Sequence, residues 1–194
     1  MKKPELNSDL VRMRPLDTVD IPAIQRLAAA EEIAKNTFVP HPYPPDGAEN
    51  FVEQAREGWR QDEAYVFAII EKASDKFAGC MGLHPVPAHH RAEVGYWIGL
   101  PFWRRGLATA ALRLIIHFGF ETLRLNRIAA GHFPQNPASG RVMQKANMRY
   151  EGTLRGALLH RDEYKDEARY AILREDFDAT LKTAAGKKKE TAEG

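Results

Sequence analysis

The fold of this chain is decided by one stretch, Gly95-Tyr96-Trp97-Ile98-Gly99-Leu100-Pro101-Phe102-Trp103-Arg104-Arg105-Gly106-Leu107-Ala108-Thr109. Its first part continues a run from Glu93 that is typical of a β-strand, and Pro101 ends that strand. From Ala108 to about Thr122 the apolar residues recur at helical spacing. The stretch therefore predicts a strand, a short loop and a helix in direct succession.

The loop of this stretch is suited to binding phosphate. Gly106 has no side chain, so a ligand can approach its backbone closely. The first amides of the following helix lack intrahelical acceptors and carry the positive end of the helix dipole. Such a site binds phosphates, although a helix can also simply begin with Arg-Arg-Gly. The Walker and dinucleotide-binding glycine patterns are both absent from the chain.

The elements around this stretch predict one mixed α/β domain over residues 1–181. Further helices are predicted from Ile21 and over residues 47–60 and 137–145. The prolines make residues 40–45 an extended loop and residues 84–91 a second loop. Residues 182–194 form a charged tail that we expect to be disordered. The predicted strands are 11–14, 65–70, 77–83, 93–98, 126–133, 148–159 and 164–173.

Composition and charge narrow the class of function. The chain has 194 residues, 44% of them hydrophobic and 28% charged, which is ordinary globular composition. Neither a secretion signal nor a membrane span is evident, and the single Cys80 fits a reducing cytoplasm. Residues 104–145 hold seven basic residues and one acidic residue, a local charge of +6, while their flanks are acidic. This pattern suits a small polyanion better than a nucleic acid.

Two motifs resemble those of a known family. The Gly95-Tyr96-Trp97 strand and the Gly106-x-Ala108-Thr109 turn resemble the acetyl-CoA motif of the GNAT superfamily of N-acetyltransferases. They look most like the branch that acetylates the N-terminal amine of ribosomal proteins. A second conserved stretch of that branch resembles Asn136-x-x-Ser139 and its continuation to Asn147. Arg155, Asp162 and Asp166 match its C-terminal hairpin.

The resemblance implies a mostly antiparallel sheet that splays near Ile98, and direct acetyl transfer from acetyl-CoA to a primary amine without an acyl-enzyme. A protein N-terminus is the favoured acceptor and a small-molecule amine is the second. A non-catalytic sensor of acyl-CoA is a third hypothesis. The first two helices and the last hairpin would line the acceptor pocket. Oligomeric state stays open, and a homodimer is one alternative.

The resemblance also assigns residues to the acetyl-CoA site. The amide of Ile98 would lie near the thioester oxygen, and Asn136 would contact the pantetheine arm. Asn136 is also placed to cap a helix through its side-chain oxygen. The pyrophosphate would meet the loop formed by Arg104, Arg105, Gly106, Leu107, Ala108 and Thr109.

Acetyl transfer needs a base for the amine and a proton for the departing thiolate. Glu93 is the candidate base, with an exposed strand-end glutamate as the alternative. Ser139 is the candidate acid, with a first-turn serine bonded to the helix cap as the alternative. His132 is a second proton-transfer candidate, although such a histidine is more often simply packed.

Other noticeable residues receive no role in the chemistry. His84, His89 and His90 lack the spacing of metal ligands and a cysteine partner, so we expect no metal. Cys80 is expected to be a small buried hydrophobe rather than a nucleophile. We expect neither nucleic acid nor membrane among the partners.

Overall fold

The structure is a computed structural model that describes residues 4–181. Its helices are α1 (Ile21–Ala28), α2 (Glu31–Asn36), α3 (Gly47–Gln61), α4 (Leu107–Glu121), α5 (Pro137–Lys145) and α6 (174–181). Its strands are β1 (Leu6–Asn7), β2 (Val11–Pro15), β3 (Tyr65–Glu71), β4 (Lys76–Val86), β5 (Arg91–Ile98), β6 (Arg127–His132), β7 (Arg149–His160) and β8 (Glu163–Leu173).

The eight strands form one sheet in the order β1-β2-β3-β4-β5-β6-β8-β7. Every neighbouring pair is antiparallel except β5 and β6, which are parallel and connected through α4. The prediction of a mixed α/β fold with a mostly antiparallel sheet is confirmed. The charged tail at 182–194 lies outside the described residues, so its predicted disorder stays a prediction.

The core lies between the sheet and the helices packed on it. Trp59 on α3 stacks edge-on against Tyr65 and Phe67 on β3, and Phe118 on α4 contacts the same two rings. Aromatic pairs of this kind add stability beyond the burial of their area. Cys80 is 2% exposed within this core, which confirms the prediction that it is a buried small hydrophobe.

The prediction that residues 84–91 form a loop was wrong in its first part. Strand β4 continues to Val86, and Pro85 pairs with Ala92 on β5. Proline has no N–H to donate. No hydrogen bond is lost at Pro85, because its nitrogen is on the side of β4 that faces β3, and β3 begins only at Tyr65, which pairs with Leu83. A proline is tolerated in a strand where its nitrogen faces no partner.

Three elements lie outside the sequence prediction. Strand β1 has two residues and α2 has six, and both are too short for a periodic pattern to reveal. Helix α6 follows β8 without a loop. In the turn before α1, Asp17 and Asp20 form a reciprocal capping box.

Candidate active site

Strand β5 loses its neighbour on one side half-way along its length. β5 and β6 pair from Arg91 and Arg127 to Val94 and Ala130, whereas β5 stays paired with β4 as far as Ile98. The last four residues of β5 therefore face an open gap, which we call the β5–β6 gap. It lies at the carboxyl ends of two parallel strands, where open α/β sheets bind their ligands.

The hydrogen bonds between β4 and β5 show which amides face this gap. Gly99 donates its N–H to the carbonyl of Ala78, and successive strand residues point to opposite sides. The odd-numbered residues of β5 therefore bond to β4. The N–H groups of Tyr96 and Ile98 point into the β5–β6 gap. Sequence reasoning singled out Ile98 but not the Tyr96 amide.

Trp103 stands at the mouth of the gap. Its indole Nε1–H donates to the carbonyl of Ile98 over 2.6 Å. That carbonyl faces the gap, because it lies on the same side of the strand as the Ile98 N–H. The indole, which is 44% exposed, thus fastens the loop that follows β5 back onto the strand.

The loop that leads into α4 has the geometry of an anion site. Gly106 is the N-cap of α4 with a φ of 78°, a conformation that costs other residues energy. The Ala110 N–H is satisfied by the Gly106 carbonyl. The N–H groups of Leu107, Ala108 and Thr109 lie in the first turn, where amides lack intrahelical acceptors. They point outward at the positive end of a 15-residue helix.

The two arginines of this loop have different surroundings. Arg105 donates to both carboxylate oxygens of Glu71, over 3.0 and 3.3 Å, and lies 5.5 Å from the centre of the Phe102 ring. Glu71 is buried, and its carboxylate accepts hydrogen bonds from Ser74 and Arg105. Both bonds lower the pKa of Glu71, and the bond from Ser74 is the larger cause. Arg105 therefore anchors the loop to the end of β3, and half of its side chain stays exposed. Arg104 is exposed and has a φ of 61°.

Helix α5 begins after Asn136, as expected, with Pro137 as its first residue. The expected side-chain cap was wrong: Asn136 makes no capping bond, and its backbone carbonyl accepts the Ser139 N–H over 3.1 Å. Its φ of −108° and ψ of 65° depart from the extended backbone of most capping residues. At the other end of α5, Asn147 has a left-handed φ of 64°, a conformation that asparagine tolerates better than most residues.

The Ser139 hydroxyl bonds to Tyr96 rather than to the cap residue. Its Oγ lies 2.6 Å from Tyr96 Oη, and this contact joins β5 to α5 beside the gap. Burial raises the pKa of Tyr96 to about 12, so its phenol is neutral at physiological pH. Sequence reasoning missed Tyr96, although the Gly-Tyr-Trp stretch already contained it.

His132 lies at the end of β6, under the first turn of α5. Its Nδ1 is 2.8 Å from the carbonyl of Phe133 and must carry the proton there, because a carbonyl only accepts. Its Nε2 is buried and has no hydrogen-bond partner among residues 4–181; it faces Gly140, and the ring stacks on Tyr170. His132 is thus packed between α5 and β8, the alternative that the sequence already favoured.

Glu93 lies on β5 within the paired part of the sheet. Both of its oxygens accept from Nη2 of Arg169, over 2.7 and 2.9 Å, and Nη1 of Arg169 donates to Glu167 over 2.8 Å. The guanidinium of Arg169 therefore bridges the carboxylates of Glu93 and Glu167. A second arginine, Arg91, lies with its Nη1 3.7 Å from Oε1 of Glu93. Neither Arg169 nor Glu167 carries a sequence signal that would have singled it out.

The position of Glu93 along β5 can be compared with the two gap-facing amides. A strand rises by about 3.3 Å per residue, so Tyr96 lies roughly 10 Å and Ile98 roughly 16 Å beyond Glu93. The Tyr96 amide is the nearer of the two to this carboxylate. It is also the first gap-facing amide after the point where β6 diverges.

The last hairpin touches the segment that follows α2. Nε2 of His160, at the end of β7, lies 3.1 and 3.0 Å from the carbonyls of Ala34 and Thr37 and donates to them. Phe38, 63% exposed, packs edge-on against His160 and Phe133. The last hairpin therefore contacts α2 and the segment after it, which are not the helices expected to line the acceptor pocket, so that expectation stays a prediction.

Residues 4–181 were also compared with what a metal site and a membrane span require, namely clustered ligand side chains and a long apolar helix. Over these residues no three His, Cys, Asp or Glu side chains come together as a metal ion would need. The same part of the chain contains no helix with the length and apolar character that crossing a membrane requires.

Comparison with known proteins agrees with the geometry of the gap and its loops. The profile of the acetyltransferase (GNAT) domain matches residues 11–149. The chain belongs to the GNAT acetyltransferase family. The match contains β5, the β5–β6 gap, the loop at Gly106 and all of α5. The protein is accordingly an acetyl-CoA-dependent N-acetyltransferase.

Individual GNAT relatives cover most of the chain. The probable N-acetyltransferase YjcK of Bacillus subtilis is 31% identical over 136 residues, 69% of this chain and 75% of the relative. The ribosomal protein uS5-alanine N-acetyltransferase of Escherichia coli is 25% identical over 135 residues, 69% of this chain and 70% of the relative. A GNAT acetyltransferase structure from Bacillus anthracis has a TM-score of 0.79 at 26% identity and covers 89% of this chain and 99% of its own.

Proposed function

We propose that this GNAT enzyme transfers the acetyl group of acetyl-CoA to the α-amine of a protein N-terminus. The observation that carries the proposal is the β5–β6 gap, with α4 and α5 both beginning at its open end. The acceptor class is supported by the similarity to an enzyme named for the alanine of ribosomal protein uS5.

The residues at the gap fit acetyl-CoA. The amides of Leu107, Ala108 and Thr109 would bind the pyrophosphate at the N-terminus of α4, with Gly106 giving close approach and Arg104 and Arg105 adding charge. The N–H groups of Tyr96 and Ile98 would donate hydrogen bonds to oxygen atoms of the extended pantetheine arm and of the thioester. The amide group of Asn136 makes no capping bond and would contact the pantetheine arm from α5.

The chemistry is a direct attack. Glu93 accepts a proton from the acceptor ammonium, through a water molecule, and the free amine attacks the thioester carbon. The new C–N bond forms, the C–S bond breaks, and the nitrogen loses its second proton to water. Ser139 gives its hydroxyl proton to the departing thiolate and regains one from solvent. Glu93 passes its proton to solvent, so that two protons leave the nitrogen, one is taken up by the thiolate and one is released in total.

An acceptor screen tests the proposal. The protein is incubated with acetyl-CoA and three sets of acceptors: peptides with free N-termini, the same peptides blocked at the N-terminus but containing lysine, and small polyamines and amino compounds. Thiol release and mass spectrometry identify the products. We expect acetylation of the free N-termini and none of the blocked peptides.

Three results would contradict the proposal. Acetylation of small amines alone would favour the second acceptor class, and acetylation of the blocked peptides would move the target to lysine. Binding of acetyl-CoA without transfer to any amine would favour a sensor.

A further inference from the structure

Tyr96 reaches from β5 to the first turn of α5 and meets Ser139 there. Tyr96 Oη lies 2.6 Å from Ser139 Oγ and 3.3 Å from the Ser139 carbonyl oxygen. Hydrogen bonds between two hydroxyl groups are commonly about 2.5–3.0 Å long. The contact between the hydroxyls is therefore the strong one, and the contact with the carbonyl is weak.

The direction of this hydrogen bond decides what Ser139 can donate. If Ser139 gave its proton to Tyr96, the phenol proton would have only the weak carbonyl contact, since a carbonyl accepts but cannot donate. If Tyr96 donates to Ser139 Oγ, the phenol proton lies in the short contact of 2.6 Å, and the serine proton can be donated to another acceptor. A hydroxyl that accepts a hydrogen bond is also a better donor, because chains of hydrogen bonds polarise one another.

We infer that Tyr96 is a positioning residue of the acetyl transfer: it donates to Ser139 Oγ and thereby directs the serine hydroxyl at the sulfur of CoA in the β5–β6 gap. The inference rests on the role proposed for Ser139. Burial keeps the phenol protonated, since it raises the pKa of Tyr96 to about 12. The competing explanation is that the pair only fastens α5 to β5.

A titration of bound CoA separates these explanations without any acceptor amine. The thiolate of CoA is followed by its ultraviolet absorbance against pH, and the complex with desulfo-CoA is subtracted to remove tyrosine ionisation. A hydrogen bond to the thiolate lowers the pKa of the thiol. We expect Ser139→Ala to raise that pKa by about one unit and Tyr96→Phe to raise it by about half a unit.

Single turnovers provide the second measurement. Tyr96→Phe should slow acetyl transfer about fivefold while leaving the affinity for CoA unchanged. In the Ser139→Ala background the same substitution should have no further effect, because the hydroxyl that it orients is gone. Tyr65→Phe is the matched control, since it removes a phenol hydrogen bond of 3.1 Å to Asp62 at the start of β3, outside the β5–β6 gap; it should change neither the titration nor the rate.

Several outcomes would overturn the inference. An unchanged thiol pKa in folded Tyr96→Phe would mean that Tyr96 only connects α5 to β5. The same follows if the effects of Tyr96→Phe and Ser139→Ala on the transfer rate are additive. If Tyr96→Phe does not fold, Ser139→Ala alone decides: an unshifted thiol pKa there refutes the inference. If wild-type protein acetylates no amine, the proposed function fails, but the titration still reports on the two hydroxyls.

Discussion

Arg169 sets the conditions under which Glu93 can act as a base. A carboxylate offers about four lone-pair sites, and the guanidinium occupies one on each Glu93 oxygen. Both oxygens therefore keep a free lone pair for a water molecule or an amine.

Glu93→Gln should lower the transfer rate by about a hundredfold or more, the usual scale for loss of a general base, with little change in the affinity for CoA. The wild-type rate should fall as acid protonates the base, and the variant should lack that acidic limb. Rates measured against pH test both points. Glu151→Gln is the matched control, because Glu151 is also paired with an arginine, Arg127, at the far end of β6. A Glu93→Gln protein with wild-type rates at every pH would make Glu93 a plain surface residue.

Gly106→Glu should abolish CoA binding, since it places a negative charge where the backbone is expected to meet pyrophosphate. Space does not prevent the substitution, because among the described residues a Cβ there would meet only Leu10 Cδ1, at 3.4 Å. Calorimetry with CoA measures the affinity. Gly106→Ala carries the same left-handed strain without the charge, and we expect it to keep most of the affinity. Normal binding by folded Gly106→Glu would remove this loop from the site.

At the scale of elements, the register of β4 and β5 shapes the gap. Gly79 pairs with Ile98, at the end of β5 that faces the gap. A Cβ on Gly79 would lie 2.2 Å from the Trp97 carbonyl oxygen and 2.9 Å from Ile98 Cα. Both atoms are backbone, so the strands would have to separate.

Gly79→Ala should therefore lower the free energy of unfolding by about 3 kcal/mol, as overpacking against a rigid neighbour does. Gly95→Ala, on the neighbouring strand, is the control, because a Cβ there meets no atom of the part of the chain that the structure describes within 4 Å. We expect Gly95→Ala to leave stability nearly unchanged. Urea unfolding of both variants measures the difference, and equal stabilities would show that β4 and β5 adjust freely.

The ion pair between Arg105, in the loop before α4, and Glu71 on β3 should make stability depend on pH. Because the folded state lowers the pKa of Glu71, this carboxylate stabilises the fold above its ordinary pKa of about 4.3. That contribution is lost as the pH falls through the lowered folded-state pKa. Glu71→Gln should thus be less stable than wild type at neutral pH, and the difference should shrink in acid. Unfolding curves at neutral and acid pH test this, and a constant difference would contradict it.

At the scale of the whole molecule, the site is assembled from the two halves of the sheet. β5 belongs to the half that begins at β1, and β6 pairs onward with β8 and β7. A ligand between them binds the folded chain and not the unfolded one, because the gap exists only when both halves are in place. Ligand binding and global stability are therefore linked.

Acetyl-CoA at about one hundred times its Kd should stabilise the folded state by about 2.7 kcal/mol. For a chain of this size that corresponds to a rise in Tm of about 5–10 °C. Thermal unfolding with and without acetyl-CoA measures the rise, which Gly106→Glu should lose. A Tm that acetyl-CoA does not move in wild-type protein would contradict a preformed site.

Most of the fold could be predicted from the sequence because its signals are local. The periodicity of α4, the proline that ends β5 and the glycine that begins α4 all act within a few residues. The left-handed end of α5 at Asn147 was also predictable, because few other residues adopt that backbone cheaply. The continuation of β4 through Pro85 could not be predicted, because a strand tolerates a proline only where the neighbouring strand offers its nitrogen no partner, and that depends on where β3 begins.

The sequence by itself determined the class of fold, the loop at Gly106 as a candidate phosphate site, and Glu93 and Ser139 as candidates for proton transfer. Only the tertiary structure decided what these side chains touch. Arg169 is 76 residues from Glu93 and Ser139 is 43 from Tyr96, and no local pattern encodes such contacts. They exist because β6 pairs with β5 as far as Val94 and then diverges, and strand register is a property of the whole sheet.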